Sequence, residues 1–360
     1  MNPLSDPKAP GHASTDPTPA ASAAAPGMAP AGSAPPATRV SSASHAAPPI
    51  PLRLAGAART LGCVLAEGAS GELAARALLE AELLQQPRFG LDLLVECHGG
   101  NDLTALLADD AQAVSRHDCQ AIDSPVAIAA ATLALARRAK RHGVAATFLT
   151  GIAGFGRFAP FMRSLADAGL AGMAGTEGGP LVAPAGGQRG VLSTNPLAFG
   201  LGHGEDRVVI DLATSAITLA AAKAARQQGS PLPEGVALDA DGRPTRDAAL
   251  MAALLPRGGM VGSLLGLIVE LLAGVVGGGR AASEARGATA RRGVFLLAFD
   301  PVRAGDAHWP ARLAQLRHDW QDAGGHWPTG RPFADDATLP PDVAHRLHAT
   351  LSRLAPTPAG

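Results

Sequence analysis

The chain has 360 residues, 47% of them hydrophobic and 17% charged, enough to bury a sizeable core in two domains or one large one. Thirty Lys and Arg against thirty-one Asp and Glu leave a net charge of −1, so no whole-chain field draws nucleic acid or an anionic membrane. Aromatic residues make up 3%, with no Tyr, which excludes the stacking platforms of single-strand binders.

Residues 1–50 hold eleven Pro, no Phe, Trp or Tyr, and long Ala/Ser/Gly/Pro tracts. Such a segment buries too little apolar surface to offset its chain entropy, and it reads as a disordered leader. It has no basic stretch followed by an apolar run, so no secretory signal is read there. Helices are expected over 52–65 and 71–84, with Ser70 capping the second. Cys63, Cys97 and Cys119 are too few and odd in number for a disulfide scaffold, which points to a cytoplasmic protein. Residues 124–141 place Ala and Leu at helical spacing, with basic residues in the last turn and Gly143 suited to a left-handed C-cap.

A strand follows at 144–150, then a helix at 161–168 stopped by Gly169, and a strand at 170–174. A Pro/Gly loop covers 180–190, and short strands are expected at 197–199 and 208–212. Next come a helix at 217–227, a turn at 239–244 and a buried helix at 264–273. The apolar run around that helix carries Glu270 and falls short of the ~20 residues of a membrane span. A strand at 293–299 leads into a helical tail at 308–354, whose Trp309 and Trp327 are expected to pack against the helical domain. Helices alternating with short strands give an α/β or α+β fold.

Six ordered blocks stand out: Pro184-Ala185-Gly186-Gly187; Ser193-Thr194-Asn195-Pro196-Leu197-Ala198-Phe199; Asp211-Leu212-Ala213-Thr214-Ser215; Leu232-Pro233-Glu234-Gly235 leading to 238–245; Gly258-Gly259; and Val269-Glu270-Leu271-Leu272-Ala273-Gly274. In order and spacing they resemble the malate/L-lactate dehydrogenase family, which also includes ureidoglycolate and sulfolactate dehydrogenases and Δ1-piperideine-2-carboxylate reductases. The resemblance implies a helical domain from 51–120 with 300–360 and an α/β domain over 121–299. The second would be a mostly antiparallel sheet flanked by helices, binding NADP or NAD without a Rossmann fold, in a homodimer. No strand–Gly-x-Gly-x-x-Gly–helix unit is present, and the glycines of 151–156 have the wrong spacing for one.

Ser193, Thr194, Asn195 and Pro196 offer two hydroxyls, an amide and a rigid bend, suited to a carboxamide or ribose. The resemblance places them beside the nicotinamide; the residues alone also fit a turn with Asn195 bonding its own backbone. It likewise places Asp211, Ala213, Thr214 and Ser215 at the cofactor and substrate site, although Ser215 also fits a helix cap.

Reducing a 2-oxo acid or cyclic imine carboxylate takes a nicotinamide, a cation facing the carboxylate and a proton donor. The family motifs that would supply the last two are altered. A gapless alignment sets Ser-His-Gly-x-x-Arg on 88–93, so the His becomes Phe89 and the Arg becomes Leu93. His-Phe-Gly falls on Gly154-Phe155-Gly156, and the His, Lys and Tyr of a later glycine motif fall on Met260, Val261 and Ser263. On that alignment the site is emptied of titrating groups and lined by Phe89, Leu93, Met260 and Val261, a pocket for an apolar group. Shifting the first motif by nine residues matches Glu96-Cys97-His98-Gly99 instead and makes His98 the catalytic donor; the residues alone read it as a loop histidine. Cys97 and His98 with His117 and Cys119 fit no common zinc spacing, so no metal is assigned.

The sequence thus reads as an NAD(P)H-dependent oxidoreductase acting on a 2-oxo or 2-hydroxy acid or a cyclic imine carboxylate. Its partners would be a small-molecule substrate and a second copy of the chain, with no nucleic acid and no membrane. A catalytically degenerate pseudoenzyme and a repurposed biosynthetic member stand as alternatives.

Overall fold

A computed structural model describes residues 52–97, 99–108, 111–279, 291–305 and 307–355. The 1–50 leader and His98 lie outside the described residues. The chain opens with a helical hairpin, α1 (Leu54–Leu65) and α2 (Ala69–Leu83). Two glycines let the helices touch: a Cβ on Gly62 would sit 2.8 Å from the Glu72 nitrogen, and one on Gly71 would sit 2.2 Å from the Ala66 oxygen. Ser70 is not the cap expected of it. The chain enters α2 through Gly68 at φ +71°, which places Ser70 inside the first turn, where it is buried.

The elements then run α3 (Thr104–Leu107), β1 (Val114–Asp118), α4 (Ser124–His142), β2 (Val144–Ile152), α5 (Ala159–Asp167) and β3 (Ala171–Thr176). They continue with β4 (Leu197–Leu201), β5 (Val208–Leu212), α6 (Leu219–Gln228), the short pair β6 (Ala237–Leu238) and β7 (Ala253–Leu254), and α7 (Met260–Glu270). A π-helical turn, Leu271–Val276, extends α7; β8 (Arg292–Phe299), α8 (Trp309–Asp322) and α9 (Pro341–Leu354) follow. The six-stranded sheet has the order β1-β2-β8-β3-β4-β5. Only β1 with β2 is parallel; the other four pairings are antiparallel, so the expected mostly antiparallel sheet flanked by helices is the one formed.

β8 inserts between β2 and β3, and its residues alternate between two cores, as a two-residue period requires. Val294, Leu296 and Ala298 join α1, α2, α4, α5 and α9 in the main core. Phe295 packs on the opposite side with Val269 and Ala273, and Leu297 lies against the same cluster. α2 and α5 are tied by Glu80, which accepts a 2.5 Å bond from Arg163 with both side chains buried.

Two expectations change here. The helix expected to be buried at 264–273 packs only through a narrow face of Gly262, Ser263, Gly266, Val269 and Glu270. Leu264 is 53% exposed, Ile268 49% and Val275 66%, because the sheet takes one side of α7 and none of the described residues covers the other. Trp327 packs on Val208 and Leu313, next to Phe199, Leu201 and Trp309, and its indole donates to the Arg207 carbonyl at 3.0 Å. The tryptophan tail therefore covers the β5 edge of the sheet rather than the helical layer, which blunts an otherwise open edge strand.

Candidate functional site

The site is built around the start of α5. The residue before that helix is Phe158, whose side chain cannot accept a hydrogen bond, so the first N–H groups of α5 lack a cap of their own. Asp211, at the end of β5, fills the gap: its Oδ2 accepts the Ala159 N–H at 2.9 Å. The 153–158 loop is held between these two points, with Phe155 stacked on buried Phe158 at a centroid distance of 5.0 Å. Gly156 turns within it at φ +73°.

The opposite wall comes from two 3₁₀ turns, Pro87–Phe89 and Leu91–Leu94. Glu82 of α2 holds them by accepting the Leu91 N–H at 2.7 Å. Leu93 reaches across to the loop. A Cβ on Gly154 would lie 2.8 Å from Leu93 Cδ2, and one on Gly156 would lie 3.3 Å from Leu93 Cδ1. Leu93 thus occupies the space that a side chain at 154 would enter.

Between the two walls is a cavity of about 500 Å³, within the usual range of small-ligand sites. Phe89, Leu93, Phe155 and Pro196 supply its apolar surface; Thr194 and Thr218 supply hydroxyls. Arg88, Arg157, Lys223 and Arg292 bring positive charge, and Asp211 is the carboxylate among the described lining residues. The site is therefore not emptied of charge. Met260 and Val261 do not line it; both stand exposed at the start of α7, where Gly258 and Gly259, each at φ +62°, turn the chain outward.

Burial pushes the Asp211 carboxyl above the ordinary carboxylate range; the N–H groups of Ala159 and Phe158 and the Arg157 charge oppose this without cancelling it. Burial also lowers the Arg292 pKa, with the Glu177 charge opposing. Burial pushes the thiols of Cys97 and Cys119 up to about 12, so both rest as thiols. Among the described residues no three His, Cys, Asp or Glu stand close enough to hold a metal. His98 is not among them.

Of the residues singled out from sequence, Thr194, Pro196, Asp211 and Ala213 meet at the cavity. The other four stand behind it. Ser193 packs against Gly178. Asn195 is fully buried at φ +31°, and its Nδ2 donates to the Gly266 carbonyl at 2.8 Å and to Glu270 Oε2 at 3.0 Å. Thr214 Oγ1 donates to the Thr194 and Asn195 carbonyls at 3.0 and 3.1 Å. Ser215 Oγ donates to the Ile217 carbonyl at 2.6 Å, while Thr218 caps α6 by accepting the Ala221 N–H. These bonds lock the 193–196 and 211–215 loops to each other and to α7. Arg157 was missed as a site residue, although it directly follows the aligned Gly154-Phe155-Gly156.

The family described as malate/L-lactate dehydrogenase matches residues 96–325. The chain belongs to that family. A Δ1-pyrroline-2-carboxylate reductase of Pseudomonas fluorescens is 42% identical over 176 residues, which are 46% of this chain and 52% of that protein. An L-lactate dehydrogenase of Cupriavidus necator is 36% identical over 198 residues, 52% of this chain and 54% of that protein. The chain thus spans about half the length of these relatives. The structure of a Δ1-piperideine-2-carboxylate reductase from Pseudomonas syringae superposes with a TM-score of 0.66 at 26% identity, covering 83% of this chain and 99% of that one.

The contact between Leu93 and position 154 yields a prediction. Gly154→His alone destabilises the protein, and Leu93→Ala in the same chain makes room for the imidazole. A denaturant double-mutant cycle should show a coupling of about 1 kcal/mol or more, as contacting positions do. Additive effects would show that the two positions do not share space.

Proposed function

We propose that this member of the malate/L-lactate dehydrogenase family is a reductase that uses NADPH or NADH. It would convert a 2-oxo acid or cyclic imine carboxylate into the 2-hydroxy or cyclic amino acid. The observation that carries this reading is one cavity where the 193–196 and 211–215 loops meet a buried carboxyl, pushed above its ordinary range, and a guanidinium. The lining fits a nicotinamide nucleotide. Pro196 and Phe155 offer apolar faces to a ring, Thr194 and Thr218 offer hydroxyls, and exposed Lys223 and Arg88 offer charge to phosphates. When bound, the reduced nicotinamide supplies the hydride that adds to the carbon of the C=O or C=N bond.

The chain supplies the rest. Asp211 gives its proton to the oxygen or nitrogen of the same bond and is left as a carboxylate. Burial favours the protonated form of this carboxyl, and the Ala159 N–H and the Arg157 charge stabilise the anion that remains. Phe89, Leu93 and Phe155 exclude water from the reacting bond. A donor and a cation in one cavity argue against the pseudoenzyme alternative. Leucine at 93 and glycine at 154 favour a second reading, a member repurposed for a more apolar substrate, which keeps the same donor.

A homodimer and a cytoplasmic location belong to the same proposal. Met260, Val261, Leu264, Leu267, Ile268 and Leu271 form one uncovered apolar stripe along α7, and a second copy of the chain would cover it. Three free cysteines suit a reducing compartment, and among the described residues no helix is long and apolar enough to cross a membrane.

With Δ1-pyrroline-2-carboxylate and NADPH or NADH, kcat should fall as pH rises through the elevated Asp211 pKa. Asp211→Asn should lose about 10²- to 10⁴-fold in kcat and the pH limb with it, while nucleotide fluorescence still reports binding. A wild-type rate in Asp211→Asn would refute the assignment of the donor. Because the native state holds this proton more tightly than the unfolded chain, its stabilising effect is complete below about pH 3.9 and is lost as pH rises through the native value. Asp211→Asn removes that loss, so its Tm near neutral pH should equal or exceed wild type. Light scattering should find a dimer that Leu264→Asp with Ile268→Lys converts to a folded monomer; a monomeric wild type would contradict the second copy.

A further inference from the structure

We infer that Arg157 is the cation that receives the substrate's carboxylate, and that the cavity selects a monocarboxylate with a compact apolar body. The inference rests on the reductase reading above. Position 93, where the gapless alignment sets the family's arginine, holds a leucine whose methyl groups close on Gly154 and Gly156, so position 93 supplies no charge. The charge comes instead from the facing loop. Arg157 directly follows Gly156, is only partly exposed, and lies in the electrostatic field of Asp211. Among the described residues it has no hydrogen-bonded partner. A half-desolvated guanidinium in that condition is favourably completed by a carboxylate, which its planar fork binds through two parallel bonds.

The other cations of the cavity fit this role less well. Arg292 is buried deeply enough to lower its pKa and lies in the field of Glu177, which answers part of its charge, while its Nε has no hydrogen-bond partner among the described residues. Arg88 and Lys223 are exposed to solvent, where their attraction for a small anion is screened. Position also favours Arg157. In a 2-oxo acid or a cyclic imine 2-carboxylate the carboxylate is bonded directly to the reacting carbon. The group that binds it must therefore neighbour the group that protonates the adjacent oxygen or nitrogen, as Arg157 neighbours Asp211. Phe89, Leu93 and Phe155 offer an apolar surface to the remainder of such a substrate, where a second carboxylate would be desolvated against them.

The test uses pyrrole-2-carboxylate, a planar unreactive counterpart of a five-membered cyclic imine carboxylate, and its neutral analogue pyrrole-2-carboxamide. Calorimetry on full-length protein saturated with NADPH should show the carboxylate binding about 30-fold more weakly to Arg157→Ala, the size expected for a lost charged hydrogen bond. Arg157→Lys should recover part of that loss, and carboxamide binding should be unchanged by either substitution. With Δ1-pyrroline-2-carboxylate the loss in Arg157→Ala should fall mainly on KM, and the wild type should prefer this substrate to oxaloacetate. Equal carboxylate binding by wild type and Arg157→Ala, or a wild type that binds NADPH but not pyrrole-2-carboxylate, would overturn the assignment. Arg157-dependent binding without turnover would instead overturn the reductase reading and leave the anchor supported.

Discussion

One hydrogen bond joins the frame of this protein to its site: Oδ2 of the Asp211 carboxyl of β5 accepting the first free N–H of α5. α5 starts at Ala159 behind a phenylalanine that cannot cap it, so the helix takes its acceptor from a residue 52 positions later. That bond fixes where the 153–158 loop begins its return to the sheet. It thereby fixes Phe155 and Arg157 on the cavity wall. The same carboxyl is pulled two ways, since its N–H donors favour the anion and its surroundings favour the acid. Burial outweighs them, and the carboxyl of a structural cap is left above its ordinary range.

The altered family motifs form a connected set rather than separate losses. Leu93 and Gly154 occupy a shared space, so a change at either position alters what the other can hold. Arg157 of the same loop and Asp211 of β5 supply charge to the same cavity. Behind the cavity, Asn195, Thr214 and Glu270 pin the two loops to α7, so polar residues outside the lining still determine its shape. α7 depends in turn on its small face: a Cβ on Gly266 would come within 3.0 Å of Thr214 Oγ1.

Local features were legible in the sequence. The run of basic residues ending α4 at Gly143, the strand at 208–212 and the loops around Asn195 and Asp211 follow from capping, period and spacing. Features that depend on distant residues were not. Hydropathy alone cannot distinguish an apolar helix covered on all sides from one with a face left exposed, and so α7 differs from the reading of a buried helix. Ser70 has the chemistry of a cap, but Gly68 alone tolerates the entry angle of α2. The place of β8 between β2 and β3, the seat of Trp327 on β5 and the bonding of Asn195 to α7 join segments far apart in the chain. The charge of the cavity was hidden similarly, since Arg88, Arg157, Lys223 and Arg292 come from four separate segments and only two of them fall within an aligned motif or next to one.

The central claim is that the family site has been rebuilt around one buried acid. The most direct measurement is a ¹³C NMR titration of the protein labelled at aspartate carboxyls, with Asp211→Asn identifying the resonance. The Asp211 signal should titrate above the ordinary carboxylate range and shift when NADPH is added. A midpoint at or below that range would leave the cavity without its donor and contradict the account.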